Sequence, residues 1–364
     1  MDHQDPVLAR LIDQVLLAGA RKAALDIRGG GTKAFYGAAS AGEALNVSGL
    51  AGISNYEPTE LVVTVRAGTP LCELEAALEE GGQCLSFEPP RFSPGGTVGG
   101  MVAAGLSGPA RASAGSVRDH VLGVTLLNGG GEVLTFGGQV AKNVAGYDVS
   151  RLMAGSWGIL GVICEVSLKV MPRSRAAVTL RFELDEQPAL ERLRLWASQP
   201  LPMNASAWHE GRLHVRLAGA IAAVKSACGR LGGSVLAPDE SVNWWASLRD
   251  QTQEFFAVDD AGSAGGERLW RLSVPRSAAP IELPGAQFIE WHGAQRWWRT
   301  AAAAADVRGA AARAFGHATL IRGADKSDGV FTPLSDVLMR VHRGLKRAFD
   351  PAGIFNPGRM YGGL

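Results

Sequence analysis

The sequence predicts an α+β protein with two domains that meet near residue 172. Its length of 364 residues corresponds to two or three domains of about 150 residues each. The first 172 residues contain 28 of the 47 glycines but only one of the nine tryptophans. Helical and strand patterns alternate on both sides of this boundary. We therefore expect a first domain rich in glycine turns and a second domain with a different, tryptophan-rich core.

The first domain is predicted to begin with an amphipathic helix and then to alternate strands with helices. Apolar residues between Val7 and Leu16 recur at helical spacing. A second helix is expected over 71–80, where Thr69 can act as the N-cap, and a third over 101–106. Apolar and β-branched runs predict strands over 24–28, 61–66 and 163–170 and a hairpin formed by 121–128 and 132–136.

The second domain shows the β-α-β-β-α-β order that is typical of a ferredoxin-like fold. Its six predicted elements cover 178–184, 188–197, 205–208, 213–217, 221–231 and 234–236. Further strands over 269–274, 288–291 and 318–322 would extend the sheet. The pairs Trp244-Trp245 and Trp297-Trp298 predict that one ring of each pair points outward, where it suits an interface or helps to fill a small core.

A last helix is predicted over 334–349. Its apolar residues Val337, Leu338, Val341, Leu345 and Phe349 share one face, which we expect to be buried. The opposite face carries Arg340, Arg343 and Arg347, either as a solvated surface or as a docking surface for an acidic partner.

The composition excludes several classes of protein. The formal net charge of +1 argues against a protein that neutralises nucleic-acid phosphates. The four cysteines lack the spacing of a zinc or iron–sulfur motif and are expected to be reduced core residues. The N-terminus lacks the apolar run of a signal peptide, and no segment has eighteen apolar residues without charge. We therefore expect a cytoplasmic protein without a transmembrane segment.

Five glycine clusters form the candidate binding site. RGGGTK at 28–33 follows a predicted strand, and its consecutive glycines can present backbone N–H groups to a phosphate. Four more clusters follow at 94–100 (PGGTVGG), 115–120 (GSVRDH), 142–148 (KNVAGYD) and 155–162 (GSWGILGV). RGGGTK alone fits an ordinary turn equally well, and it matches a permissive nicotinamide-binding fingerprint in a poor context. All five clusters together favour one long groove for an extended dinucleotide.

These motifs, in this order, resemble the FAD-binding domain of the vanillyl-alcohol-oxidase (PCMH-type) flavoprotein superfamily. FDPAGIFNPGR at 349–359 and the tryptophan-rich second domain are similar to the FAD-binding subunits of bacterial glycolate oxidases (glycolate dehydrogenases). The resemblance implies a PCMH-type FAD-binding domain of two α/β subdomains at 1–172 and a smaller ferredoxin-like α+β cap at 173–332. It also implies that a C-terminal helix and tail, 333–364, pack back on the FAD domain.

The resemblance further implies which residues bind FAD. Residues 29–33 would hold the pyrophosphate, the second cluster would line the flavin, and the later clusters would follow the ribityl and adenine portions or lie near the isoalloxazine. The full set is Gly29, Gly30, Gly31, Thr32, Lys33, Pro94, Gly95, Gly96, Thr97, Val98, Gly99, Gly100, Gly105, Ser107, Gly115, Ser116, Val121, Asn143, Gly146, Tyr147, Asp148, Gly155, Gly158, Gly161, Val162 and Asn356. Because Gly31 and Thr32 replace the His or Cys that tethers FAD in some members, binding is expected to be non-covalent.

The implied function is oxidation of glycolate, or of D-lactate-like 2-hydroxy acids, within a complex. The expected partners are a catalytic FAD-linked oxidase subunit and an iron–sulfur subunit, through which the chain could also attach to the inner membrane. Related catalytic subunits carry a metal-binding HxGDGNxH-like segment, whereas GHATLIRG at 316–323 lacks the second histidine, so no metal is expected. His317, Arg322 and Tyr147 are the candidate catalytic residues. The alternative is a non-catalytic assembly subunit that retains FAD.

Overall fold

The computed structural model describes residues 5–138, 148–258 and 266–364 and divides the chain into two compact units. Unit 1 consists of Met1–Leu106, Ser116–Pro172 and Pro333–Leu364, and unit 2 consists of Ser107–Gly115 and Arg173–Thr332. The chain changes unit after residues 172 and 332, where the sequence analysis also divides it. The excursion of residues 107–115 into unit 2 has no signal in the sequence. The assignment of one function to each unit stays a prediction.

The helices and strands alternate along most of the chain. Up to residue 172 they are α1 (Pro6–Arg21), β1 (Leu25–Arg28), β2 (Glu43–Asn46), β3 (Ile53–Glu57), β4 (Val62–Arg66), α2 (Leu71–Glu80), β5 (Gln83–Cys84), α3 (Val98–Ala104), α4 (Arg111–Ala114), α5 (Val117–His120), β6 (Val121–Leu127), β7 (Val133–Gly137), α6 (Val149–Leu152), β8 (Val162–Lys169) and β9 (Met171–Pro172). They continue with β10 (Ala176–Glu183), α7 (Glu186–Ala197), β11 (Met203–His209), β12 (Arg212–Gly219), α8 (Ile221–Leu231), β13 (Ser234–Val235), α9 (Pro238–Arg249), β14 (Arg268–Ser273), β15 (Ala286–Glu290), β16 (Gln295–Thr300), α10 (Ala304–Arg313), β17 (His317–Arg322) and α11 (Asp336–Phe349).

Two hydrophobic cores lie among the described residues of unit 1. In the first, α1 buries Leu8, Leu11 and Val15 against the parallel pair β1–β2. Phe355 of the C-terminal segment adds a parallel bridge to Leu25 at the edge of this pair. In the second core, α2 and α3 pack on a five-stranded antiparallel sheet of order β3-β4-β8-β6-β7. The small sheet and the C-terminal bridge lie next to the glycine loop that follows β1, so they position that loop.

The capping of two helices in unit 1 differs from the sequence prediction. Thr69 does not cap α2: Pro70 occupies the N-cap position, and the buried Thr69 hydroxyl donates to the Arg66 carbonyl (2.7 Å) and accepts from the Gly52 N–H (2.9 Å). Helix α3 begins earlier than predicted, because the Thr97 Oγ1 accepts a hydrogen bond from the Gly100 N–H (3.2 Å). Glycine clusters can therefore start a helix when a hydroxyl supplies the cap.

Unit 2 is built on an eight-stranded antiparallel sheet of order β13-β10-β12-β11-β15-β16-β14-β17. Leu180 of β10 belongs to a core that includes residues of α7 and α8. The next residue toward the N-terminus, Thr179, accepts a hydrogen bond from the Trp245 indole of α9 (2.8 Å). Because successive side chains of a strand point to opposite faces, α9 covers the face of the sheet opposite to α7 and α8. Strand β16 and helix α9 were not among the predicted elements.

Two expectations about exposed and buried side chains are wrong. On α11, Val337, Leu338 and Val341 are 59%, 49% and 54% exposed, although Leu345 and Phe349 pack against the second core of unit 1. The predicted apolar face is therefore buried only along its C-terminal half. Neither tryptophan pair presents an exposed ring. Trp245, Trp297 and Trp298 are buried, and Trp244 stacks on His214 with 4.1 Å between ring centroids.

The cysteines are all free, but they do not all lie in a core. Cys164 is buried, Cys84 and Cys228 are half-buried, and Cys72 is exposed on α2. The expectation of four core cysteines is thus wrong for Cys72. In the ranges that the structure describes, no helix is both long and apolar enough to cross a bilayer.

Candidate functional site

Unit 1 contains a cavity of about 460 Å³, within the size range of small-molecule sites. Five segments line it: β1 with the glycine loop that follows, the stretch with Ala39, Ser40 and Val47, Thr97 with α3, the loop before β8 with the start of that strand, and the C-terminal segment after α11. Most of these segments are far apart in sequence. The cavity therefore brings the first, second and fifth glycine clusters together.

Two glycine loops meet here backbone to backbone. A Cβ atom on Gly30 would lie 1.4 Å from the Gly95 carbonyl oxygen, and one on Gly29 would lie 2.4 Å from the Thr97 Oγ1. Neither position has room for a side chain. Gly31 has a φ of +69°, and a Cβ there would meet nothing within 4 Å. Gly29 and Gly30 of the first loop thus pack against the second loop, whereas Gly31 is open beside the cavity.

The C-terminal segment forms one wall through Asn356. Its side-chain Oδ1 accepts from the Ile27 N–H of β1 (2.8 Å), and its Nδ2 donates to the Trp157 carbonyl (2.6 Å). A Cβ on Gly158 would lie 2.8 Å from this Nδ2. The side chain of Asn356 therefore joins β1 to the loop before β8, and the fifth cluster needs a glycine where Asn356 passes.

Arg359 and a buried ion pair hold the same segment in place. The Arg359 guanidinium donates to the carbonyls of Tyr36 (2.7 Å) and Ala38 (2.9 Å). The Lys346 ammonium on α11 donates to Asp350 Oδ2 (2.7 Å) and to the carbonyls of Ile159 (2.8 Å) and Phe355 (2.6 Å). Both cations thus bond to backbone carbonyls of segments far away in the sequence, Tyr36 and Ala38 for Arg359 and Ile159 for Lys346.

The polar groups of the cavity suit a phosphate-containing ligand. Lys33 is only 9% exposed and lines the cavity, and its burial lowers its pKa to about 8. Ser40 also lines the cavity, and its buried hydroxyl finds no hydrogen-bond partner among the described residues. Asp26 is already paired with Arg28 at 2.5 Å. A buried ammonium, a free hydroxyl and an open glycine backbone are all suited to bind phosphate oxygens.

The predicted FAD-binding residues fall into four groups by position. Gly29, Gly30, Gly31, Thr32, Lys33, Thr97, Gly99, Gly100, Gly158, Gly161 and Asn356 line the cavity. Pro94, Gly95, Gly96, Val98, Gly105, Ser116, Val121, Asp148, Gly155 and Val162 lie in unit 1 away from its lining. Ser107 and Gly115 belong to unit 2. Asn143, Gly146 and Tyr147 lie outside the described residues.

Several residues of the second group have structural roles. Val98, Val121 and Val162 are buried in the cores of unit 1. Gly105 allows a close approach, since a Cβ on it would lie 2.8 Å from the Gly155 Cα. Asp148 caps α6 by accepting from the Arg151 N–H (3.2 Å). These contacts shape the loops around the cavity rather than its surface.

The predicted FAD-binding set lacks several lining residues, among them Ser40, Trp157 and Arg359. Ser40 follows a stretch without any recognisable motif, so no signal marks it. Trp157 has a positive φ of 55° and packs edge-on against Tyr36 (4.5 Å between centroids); its position between Gly155 and Gly158 is a signal that could have identified it. Arg359 follows the FNPG motif, which marked the segment but not the cavity.

The described candidate catalytic residues, His317 and Arg322, lie at the two ends of β17 in unit 2. His317 is exposed, and desolvation followed by the charges of Arg271 and Arg111 lowers its pKa. Arg322 is half-buried and pairs with Leu269 in the sheet. Among residues 5–138, 148–258 and 266–364, no group of three His, Cys, Asp or Glu side chains could hold a metal.

Comparisons with known proteins identify the family. Residues 8–137 match a family model described as an FAD binding domain, and residues 322–360 match the C-terminal domain of FAD linked oxidases. The glycolate oxidase subunit GlcE of Escherichia coli K12 is 46% identical over 354 residues, which is 97% of each chain. The chain belongs to the GlcE family of FAD-linked oxidase subunits. Its cofactor is therefore FAD, and the cavity in unit 1 contains the chemical groups that this cofactor needs.

Two more distant relatives of this GlcE-family chain match about a third of it. A D-lactate dehydrogenase of Anaerostipes hadrus is 34% identical over 128 residues, and the glycolate oxidase subunit GlcD of Bacillus subtilis is 33% identical over 129. Each match spans 35% of the chain and about a quarter of the relative (26% and 27%). A solved structure of alkyldihydroxyacetonephosphate synthase matches 96% of the chain and 74% of its own, with a TM-score of 0.67 and 15% identity. At that identity the match shows a shared fold alone.

Proposed function

We propose that this chain is the FAD-binding redox subunit of a multi-subunit glycolate oxidase. In that complex glycolate, or a D-lactate-like 2-hydroxy acid, is oxidised, and electrons pass to a partner iron–sulfur subunit. The observation that carries the proposal is the cavity of two interlocked glycine loops beside a buried ammonium, in a chain that matches a glycolate oxidase subunit over 97% of its length. The proposed substrates are those of the similar proteins, which are glycolate oxidase subunits and a D-lactate dehydrogenase.

The cofactor would lie along the lining of the cavity, bound without a covalent link. When bound, FAD supplies an isoalloxazine ring that accepts the two electrons of hydroxy-acid oxidation. Gly31 and Lys33 would face the pyrophosphate, and the Ser40 hydroxyl would donate a hydrogen bond to an oxygen of the cofactor. Asn356 and Arg359 would keep the wall of the cavity closed. Unit 1 would then be the FAD-binding domain and unit 2 the cap.

The strand order of unit 2 supports a ferredoxin-like start of the cap. Its first four strands have the order β13-β10-β12-β11, every neighbouring pair is antiparallel, and two helices connect them. The later strands β14 to β17 extend this sheet.

Anaerobic reduction of the purified chain tests whether it oxidises substrate itself. We expect glycolate or D-lactate to bleach the flavin absorbance near 450 nm. We expect His317→Gln to slow the bleaching more than His342→Gln, a control at a half-buried position on α11 of unit 1. A yellow protein that stays oxidised with both substrates but becomes reduced within the assembled complex supports the assembly-subunit alternative. A colourless protein that binds no FAD contradicts both.

A surface on α11 supports the proposal of partner subunits. Val337, Leu338 and Val341 form an exposed apolar stripe, and contiguous exposed apolar patches can mark protein–protein interaction sites. We propose that this α11 stripe contacts a partner subunit, with the catalytic FAD-linked subunit as the partner to test.

Co-purification from cells that express the three subunits tests this assignment. Val341→Asp should prevent co-purification of the catalytic subunit and leave the FAD content unchanged. Val242→Asp is the matched control, because Val242 is 68% exposed on α9 of unit 2. Co-purification of the Val341→Asp variant at the wild-type level contradicts the assignment. Fractionation of the same cells tests whether the complex lies in the cytoplasm or at the inner membrane.

A further inference from the structure

Lys33 is a buried cation that has no counter-charge among the described residues. It closes the first glycine loop, is 9% exposed and lines the cavity. Its Nζ donates a 3.3 Å hydrogen bond to the Thr32 Oγ1 and lies 5.8 Å from the centroid of the Phe92 ring. Within the described ranges, no carboxylate lies within ion-pair distance of this nitrogen. The contact with Phe92 is at the outer limit of a cation–π interaction, so it compensates little of the desolvation.

The other charged groups around the cavity already have partners. Asp26 of β1 is paired with Arg28 at 2.5 Å. Arg359 of the C-terminal segment donates to backbone carbonyls, including those of Tyr36 and Ala38. Beyond the second loop, Arg91 is paired with Glu75 at 2.7 Å. Desolvation is the one cause that lowers the pKa of Lys33 to about 8, and no acid of the site offsets it.

The cavity therefore contains a charge whose natural partner is the ligand. An isolated ammonium in a desolvated site is unfavourable, and an anion at hydrogen-bond distance would restore its ordinary basicity. Gly31 lies two residues before Lys33 and leaves its side of the cavity open, so a phosphate bound to the loop backbone would lie beside the ammonium.

We propose that the Lys33 ammonium binds the pyrophosphate of FAD and that, in alkaline solution, the cofactor enters the site together with one proton. The proposal rests on FAD occupying this cavity. In the free protein Lys33 loses its proton near pH 8, whereas in the complex the phosphate retains it. The proton comes from solvent and forms the third N–H bond of the ammonium, and no other bond changes.

This coupling gives defined proton numbers. With a pKa of about 8 in the free protein, roughly three-quarters of the Lys33 side chains are neutral at pH 8.5 and few are neutral at pH 6.5. FAD binding should therefore take up about 0.75 proton at pH 8.5 and almost none at pH 6.5. By the same linkage, the Kd for FAD should rise about tenfold between pH 7 and pH 9. The Tyr361 phenol has its pKa raised by burial, so it does not titrate in this window.

Calorimetric titration of the flavin-free full chain with FAD tests the proposal. Titrations in two buffers of different ionisation enthalpy, at pH 6.5 and at pH 8.5, give the proton uptake. Quenching of FAD fluorescence gives the Kd as a function of pH. Lys33→Met should weaken FAD binding at pH 7 and abolish the uptake, whereas Lys33→Arg should restore much of the affinity without uptake because a guanidinium stays charged. Lys225→Met, at an exposed position on α8, should behave like the wild type.

The outcomes distinguish a failure of the proposed Lys33 role from a failure of the proposed function. Proton uptake near 0.75 at pH 8.5 that disappears in both Lys33 variants supports the proposal. FAD binding by the wild type without uptake, or uptake that persists in Lys33→Arg, overturns it and leaves the proposed function intact. A wild-type chain that binds no FAD at any pH overturns the placement of the cofactor in this cavity.

Discussion

Replacing Asp350 with Asn should strongly destabilise unit 1. Asp350 is 1% exposed and Lys346 is 6% exposed, and their side chains are 2.7 Å apart. The Asp350 carboxylate also accepts from the backbone N–H groups of Ile354 (3.1 Å) and Phe355 (2.8 Å). Asn keeps the shape but removes the negative charge, so the Lys346 ammonium stays buried without a counter-charge. Breaking one partner of a buried pair costs about 3–5 kcal/mol, and we expect about 3 kcal/mol because two carbonyls still accept from Lys346.

The assay must report on unit 1 separately, because unfolding of a two-unit chain need not be two-state. Hydrogen exchange of peptides that cover α11 and residues 350–359 gives local opening free energies. We expect Asp350→Asn to lower them by about 3 kcal/mol, and Lys346→Met to lower them as well, since it leaves the carboxylate unpaired. Arg347→Gln, at an exposed neighbouring position, is the control. A loss below about 0.5 kcal/mol in Asp350→Asn, typical of a surface substitution, would refute the reasoning.

Three further predictions concern other parts of the chain. Gly30→Ala should abolish FAD retention, because its Cβ would lie 1.4 Å from the Gly95 carbonyl; absorbance of the purified chain checks this, and Gly362→Ala, which meets nothing within 4 Å, should stay yellow. His214 of unit 2 has a pKa of about 4, mainly because of burial, so it stays neutral in the folded protein at a pH where the unfolded chain binds a proton. Its contribution to stability should fall by about 3 kcal/mol as the pH drops from 6.5 to 4, and the buried His292, whose pKa is also about 4, should add to the slope. His214→Phe should reduce that slope in urea unfolding at several pH values; an unchanged slope contradicts it. Gly344→Ala on α11, also open in space, should stabilise the helix by about 1 kcal/mol, and hydrogen exchange that stays the same or accelerates contradicts this.

The sequence predicts much of the fold because the decisive patterns are local. The periodicity of apolar residues at 221–231 predicted α8 with both ends correct. The hairpin β6–β7 and strand β8 are present within a few residues of their predicted positions. Thr69 shows where local reasoning fails: a hydroxyl just before a helix is a good N-cap candidate, but a tertiary contact with Gly52 uses the hydroxyl first.

The prediction that the whole apolar face of α11 is buried was wrong for a different reason. Amphipathic spacing shows which residues of a helix share a face, but it does not show how far along the helix that face is covered. Leu345 and Phe349 meet the core of unit 1, whereas Val337 and Val341 do not. The coverage depends on where the rest of unit 1 ends, and this information is not local to the helix.

The cavity can be recognised from the sequence more easily than the catalytic residues can. The walls of the cavity depend on backbone approaches, such as Gly30 to Gly95 and Gly158 to Asn356, and a backbone approach excludes every residue except glycine. Such a site therefore leaves a visible pattern even when its parts are far apart. A substrate site is built from side chains on separate strands, and any one of them, like His317 on β17 beside Arg271 on β14, looks the same as an ordinary surface residue. For this reason the glycine clusters indicated a dinucleotide site, and their resemblance to a known flavoprotein family implied FAD, whereas the identity of the catalytic residues needs the reduction experiment.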